Sequence, residues 1–208
     1  DSDVQADLTV DMTGKPSILS DASLKLWLDA SHTNSVIKDG SNNVSQWMDL
    51  SGNGNDLNSL GSPVFELDGL NNDPVINFTI DGMRSSSQID MDTIFIVHKT
   101  QERSGSFATF LFDFRSGNGS YIWSPGGGNT WNVHTNGQNT NDIYTNLNLF
   151  NDEWQITVFE GGDNAKAQVY LNSRYSNSEY GTGREAEGLM FNDSLSQSQI
   201  DNVESYLA

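Results

Sequence analysis

The stretch Asp49-Leu50-Ser51-Gly52-Asn53-Gly54-Asn55-Asp56 spaces oxygen-bearing side chains as a cation loop does. Asp49, Ser51 and Asn53 fall on positions 1, 3 and 5 of a twelve-residue calcium loop, and Gly54 on the turning position 6. Leu60 stands at position 12, where a bidentate Glu is expected, so a carboxylate such as Asp56 must complete the set. The same spacing also suits a loop closed by Asx-turn hydrogen bonds, with side-chain oxygens accepting backbone N–H groups instead of an ion. The candidate metal ligands are Asp49, Ser51, Asn53, Asn55 and Asp56, with Asp113 and Asp142 as further carboxylates. The expected cofactor is Ca2+.

A second constellation lies between Asp113 and Asp142. Two glycine-rich stretches, Arg115-Ser116-Gly117-Asn118-Gly119 and Pro125-Gly126-Gly127-Gly128-Asn129, flank Tyr121, Trp123 and Trp131. Consecutive glycines let the backbone approach a ligand closely and aim N–H groups at an anion. Trp faces stack on a sugar ring or hold a peptide side chain. The candidate ligand-binding residues are therefore Arg115, Tyr121, Trp123, Gly127, Gly128, Asn129, Trp131 and His134, on a loop rim. The competing role for these Trp residues is to anchor loops to the core.

Catalytic patterns are weaker. Glu66-Leu67-Asp68-Gly69-Leu70-Asn71 nearly matches the Glu-x-Asp-x-x-Glu strand motif of jelly-roll β-glucanases, and alternation puts Glu66 and Asp68 on one face. Asn71 replaces the general acid, and an amide cannot donate a proton as one. His32, His98 and His134 lack zinc-type spacing, and no Gly-x-Ser-x-Gly elbow occurs. The expectation is a binding protein without catalytic residues, with a glycoside hydrolase or lyase, or a ligand-free spacer, as the alternatives.

The elements that must position these groups belong to a chain of 208 residues with 28 acids against 10 bases, a formal charge of −18. Such a balance excludes an ordinary nucleic-acid binder, which needs clustered Lys and Arg. No apolar run approaches the roughly 20 residues of a membrane span. Cys is absent, which removes a disulfide scaffold, a zinc–thiolate site and a thiol nucleophile. The 20 Asp, 23 Asn and 19 Gly favour turns over regular elements, so loops should be heavy. The length fits one large domain, residues 21–208, preceded by a linker or added edge strand over residues 1–20.

Short β-patterned runs recur between turn signals. Leu24-Lys25-Leu26-Trp27-Leu28 and Val44-Ser45-Gln46-Trp47-Met48 alternate, residues 75–78 follow, and the unbroken run Ile94-Phe95-Ile96-Val97 suits a strand buried on both faces. Residues 107–114 form another. Trp154, Ile156 and Val158 share one face of a strand and Ala167, Val169 and Leu171 one face of the next, with a hairpin-type turn over residues 160–164. At the C-terminus Ser196 is an N-cap with Gln199 completing a capping box. Leu195 and Ile200 are placed as a staple, and Ile200, Val203 and Leu207 form an apolar stripe. The pattern predicts an all-β, antiparallel sandwich or jelly roll with a short C-terminal helix.

Residues 24–83 contain Leu-Trp-Leu-Asp-Ala-Ser, Val-Ser-Gln-Trp-Met-Asp-Leu-Ser-Gly-Asn-Gly-Asn-Asp, Pro-Val-Ile-Asn-Phe and Asp-Gly-Met. The end of the chain reads Ala186-Glu187-Gly188-Leu189-Met190-Phe191-Asn192-Asp193-Ser194-Leu195-Ser196. Both stretches, and Ser120-Tyr121-Ile122-Trp123-Ser124-Pro125 to Trp131 between them, resemble the laminin-G-like, concanavalin A-like jelly-roll domains of large secreted bacterial proteins. The resemblance implies two antiparallel sheets and a rim site, often calcium-assisted, that binds rather than catalyses. It also implies an extracellular, cell-surface setting, as a monomeric domain of a long Asp-rich adhesin with a glycan or peptide partner and no nucleic acid or membrane insertion. One departure stands out. Where the family has an Ile-Ala-Glu-Val-like strand, this chain has Glu185-Ala186-Glu187-Gly188, and a charge and a glycine in place of two apolar residues are expected to open a local pocket.

Overall fold

The computed structural model describes residues 17–101, 109–114, 120–124, 132–140, 149–161, 166–175 and 179–208. The first strands are β1 (Leu24–Asp29), β2 (Val36–Lys38), β3 (Val44–Trp47), β4 (Leu57–Leu60) and β5 (Val64–Leu70). The long β6 (Asp73–Ser85) and β7 (Thr93–Thr100) follow, then β8 (Thr109–Phe114), β9 (Ser120–Ser124), β10 (Asn132–Thr135) and β11 (Gln138–Thr140). After β12 (Gln155–Glu160), β13 (Tyr170–Leu171) and β14 (Gly181–Phe191) comes the helix α1 (Gln197–Leu207). The chain is an antiparallel β sandwich, as its patterning predicts.

One sheet runs β5–β6–β14–β7–β12–β10–β11, with β1 along the second half of β14. The other runs β2–β3–β4–β6–β13–β8–β9. Strand β6 serves both: residues 75–77 pair with β5, whereas residues 82–85 pair with β4. The change of sheet falls at Ile80, whose φ of 126° is one a β-branched residue rarely adopts. Beside it, the Asp81 carboxylate accepts the Ser62 N–H at 2.8 Å and fixes the corner.

Two cores explain the apolar patterns. Between the sheets lie Leu26, Leu28, Trp47, Leu57, Phe78, Ile94, Ile96 and Phe112, among others. A second core lies on the outer face of the first sheet, where Trp27, Phe95, Leu189 and Phe191 meet Leu195, Ile200 and Val203 of the helix segment. The run Ile94-Phe95-Ile96-Val97 is therefore buried on both faces: Ile94 and Ile96 point between the sheets, and Phe95 points under α1. The capping box forms, with the Ser196 N–H donating to Gln199 Oε1 at 2.9 Å.

Two local expectations change. Residues 17–20 form a 3-10 turn whose Ile18 and Leu19 are buried in the second core, so the packed domain begins before residue 21. The turn expected over residues 160–164 falls mostly outside the described residues, and its two strands are not hairpin partners: β12 pairs with β7 and β10 in the first sheet and β13 with β6 and β8 in the second. Apolar alternation marked both strands correctly but carries no record of partner.

Candidate functional site

The Asp49 loop lies along the edge of β1 that faces away from β14. Asp49 Oδ1 accepts N–H groups from Trp27 at 3.0 Å and Ser51 at 2.8 Å, and Oδ2 accepts the Ser51 hydroxyl at 2.8 Å and the Asn55 N–H at 3.0 Å. The amides of Asn53 and Asn55 donate to the carbonyls of Leu24 at 2.9 Å and Lys25 at 2.7 Å. Asp56 Oδ1 accepts the Asp49 N–H at 2.8 Å. Side chains here stand in for a neighbouring strand, covering an edge that would otherwise expose its ladder groups. Each of these oxygens accepts an N–H or O–H donor, which is the bonding the Asx-turn alternative requires. Among the described residues no three carboxylate or imidazole side chains converge as metal ligands. Asp113 sits apart in β8, fully buried, its Oδ2 accepting the Tyr175 N–H at 3.0 Å.

A stability prediction follows for this loop. Asp49→Ala should destabilise the domain by about 1–3 kcal/mol, because buried donors lose their acceptor. The fall in Tm should be the same with millimolar calcium and with chelator. A calcium-dependent rise in Tm that the variant abolishes would instead put an ion on Asp49.

The described rim residues divide between the sheets. Tyr121 and Trp123 lie on β9, at one edge of the second sheet, in register with Asp113 and Phe110. Arg115, Gly127, Gly128, Asn129, Trp131 and Asp142 lie outside the described residues. His134 lies on β10 of the first sheet, opposite Val158, a residue of the outer core. It therefore faces the helix side, buried, with Nε2 2.9 Å from Glu160 Oε2.

A pocket lies beside residues 185–188 of β14. In β14, Glu185 pairs with His98 and Glu187 with Val97, so Ala186 is an extra residue, a β-bulge. Residues two apart in a regular strand share a face, but the bulge puts Glu185 between the sheets and Glu187 on the outer face. Gly188 plays no part, since it pairs with Ile96 on the inner face and a Cβ there would make only ordinary contacts, with Leu28 Cδ1 and the Phe95 carbonyl oxygen at 3.9 Å each. Glu187 Oε1 accepts the Trp27 indole N–H and the Tyr206 hydroxyl, each at 2.9 Å, and so ties the last turn of α1 to the sheet.

Beside this tie lies a cavity of about 710 Å³. Its floor includes Val97, Ile156, Ala186 and Glu187, and its walls include Trp154, Tyr206 and Glu204. Two tight hairpins close the sides, both with two consecutive positive φ angles: Asn71-Asn72 at 51° and 71°, and Asn136-Gly137 at 49° and 71°. Both fit type I′ turns, which Asn and Gly adopt most readily. Asn136 Oδ1 accepts the Ile156 N–H at 2.9 Å, locking its hairpin to β12. Asn136-Gly137 is a strong hairpin signal in the sequence. Trp154, by contrast, was expected only as a strand-face residue, and Asp29, Asp73, Glu204 and Tyr206 carried no local mark.

The electrostatics are one of partial desolvation. Burial raises the Tyr206 hydroxyl well above its ordinary value, and the Glu187 and Asp29 carboxylates add to this, so it acts as a donor. Burial also raises Glu204, against the lowering by the Gly137 N–H bond and by His134. Glu66 is held below the carboxylate range: burial opposes ionisation, but Arg184 Nε at 2.8 Å and Asn77 Nδ2 at 2.6 Å outweigh it. Between the sheets, burial pushes Glu185 up to about 8 and His98 down to about 3. Glu185 accepts from Asn172 Nδ2, and His98 lies between the hydroxyls of Thr100 and Thr157 at 2.8 and 2.9 Å.

No protein family model matches the chain, and no curated protein matches it. One solved structure comes from work on botulinum neurotoxin type C, which depends upon interaction with two ganglioside molecules to enter cells. It is similar over 89% of this chain and 51% of that one, at 11% identity and a TM-score of 0.45. The chain thus spans about half the length of that structure. Fold and site together define an antiparallel β sandwich with a helix-walled pocket on the outer face of one sheet.

Proposed function

We propose that the chain is a ligand-binding module and that the pocket between α1 and the β14 bulge receives a glycan. The observation that supports this reading is the lining. A cavity of about 710 Å³ lies within the roughly 300–1,000 Å³ usual for small-ligand pockets. It combines the ring faces of Trp154 and Tyr206 with the planar amides of Asn71, Asn136 and Gln155 and several carboxylates. Aromatic faces pack on the C–H faces of a sugar ring, while amides and carboxylates match its hydroxyls pairwise. The setting we propose is extracellular, on a larger surface protein, in keeping with the family resemblance.

The test is a glycan array followed by titration. Trp154→Ala should weaken binding of the ligand found by about 2 kcal/mol, roughly thirtyfold, as expected for a central aromatic anchor. Melting should show the variant folded, because Trp154 is only half-buried. Undiminished binding by a folded Trp154→Ala variant would remove the site from this pocket. Turnover of the glycan would favour the hydrolase alternative.

A further inference from the structure

The charge of the pocket is one-sided. Its ionisable walls besides Tyr206 are Asp29, Asp73, Glu187 and Glu204, and among the described residues no Lys, Arg or His lines it. Basic side chains of the surrounding elements are paired with acids, Lys99 Nζ lying 3.8 Å from Asp152 Oδ1. Arg184 Nε donates to Glu66, His134 Nε2 lies against Glu160, and His32 Nδ1 is 2.6 Å from Asp29 Oδ2. In a cavity partly withdrawn from water, like charges lining the wall repel an anion and favour a cation more than they would in bulk.

Glu204 shows the same imbalance in detail. It is half-buried, and its Oε1 accepts one long bond, from the Gly137 N–H at 3.3 Å, with His134 acting on it in addition. An ammonium group in the cavity would supply charge and N–H donors together, and such charge-assisted bonds are the stronger kind. The faces of Trp154 and Tyr206 attract a cation in addition. Resting on the glycan reading, we infer that the pocket selects a sugar carrying a free, protonated amine over its N-acetylated or neutral counterpart.

The experiment is isothermal titration at about pH 6, where an amine is protonated, with three oligosaccharides of matched length. These are β-1,4-linked glucosamine, N-acetylglucosamine and glucose. The free-amine oligomer should bind at least about tenfold tighter than the other two, the size of one good charge-assisted contact. Glu204→Gln and Asp73→Asn should each erode that preference several-fold. Asp193→Asn, an exposed acid just before the other end of α1, should leave it intact. Asp73 is exposed, so its variant keeps the test open should Glu204→Gln fail to fold. Equal affinity for the three sugars would overturn the inference and leave the glycan reading standing. A preference that neither pocket variant erodes, or that Asp193→Asn erodes equally, would also overturn it, as attraction to the acidic surface at large. If none of the three binds and the array is silent, the glycan reading falls and the inference with it.

Discussion

Replacing Ile200 by Ala should destabilise the domain by about 2–4 kcal/mol, the usual range for emptying a buried aliphatic site. Ile200 is 1% exposed and packs in the outer core with Phe95, Val158 and Leu189. The cavity it leaves lies between α1 and the first sheet, where neither rigid partner can close it. At this chain length each kcal/mol lowers Tm by about 2–4 °C, so the loss is readily seen in a melting curve. A second readout separates local from global effects. Glu204 and Tyr206 ride on the same helix and wall the pocket, so ligand affinity should fall even at temperatures where the variant stays folded. A variant with unchanged Tm would mean that α1 is not docked on the sheet, and the pocket would lose its wall.

Glu185 and His98 set opposite limits on stability with pH. Glu185 titrates at about 8 in the fold against an ordinary 4.5, and His98 at about 3 against 6.5. Between pH 4.5 and 6.5 the folded chain holds the Glu185 proton and the unfolded chain holds the His98 proton. The two states then bind equal numbers of protons at these sites, and this pair contributes no slope. Above pH 6.5 only the folded state keeps a proton, so stability falls as pH rises towards 8. Below pH 4.5 the unfolded state also protonates Glu185 and so carries one proton more than the folded state, that on His98, and stability falls as pH drops towards 3.

Glu185→Gln isolates one limb of this profile. Gln matches the shape, still accepts from Asn172 Nδ2, and brings neutral N–H donors next to Asn172 Oδ1, a buried acceptor with no hydrogen-bond partner among the described residues. The variant should gain on the wild type as pH rises from 4.5 to 8, by roughly 1 kcal/mol per pH unit. Urea unfolding at a series of pH values measures the difference directly. A difference that stays constant across that range would show that Glu185 ionises normally inside the fold.

What was legible in the sequence was local. The unbroken run Ile94-Phe95-Ile96-Val97 identified a strand covered on both faces, and Ser196 with Gln199 marked the start of a helix whose Ile200 and Val203 had to be buried. Such features depend on neighbours a few residues away, which the order of residues specifies. The departure Glu185-Ala186-Glu187-Gly188 likewise pointed to the right strand for a pocket, though through the wrong residue: Gly188 faces the inner core.

Three matters were decided only by tertiary pairing. Period-two alternation places Glu185 and Glu187 together, but one unpaired residue at Ala186 sends them to opposite faces, and a bulge is defined by the partner strand. The pocket joins Asp29, Asp73, Trp154, Glu187 and Tyr206, which no spacing rule can associate because sheet order brings them together. The loop from Asp49 to Asp56 has a spacing equally suited to an ion or to backbone donors. Only the tertiary structure sets it beside the open edge of β1, whose Trp27 N–H and Leu24 and Lys25 carbonyls need partners once they are withdrawn from water.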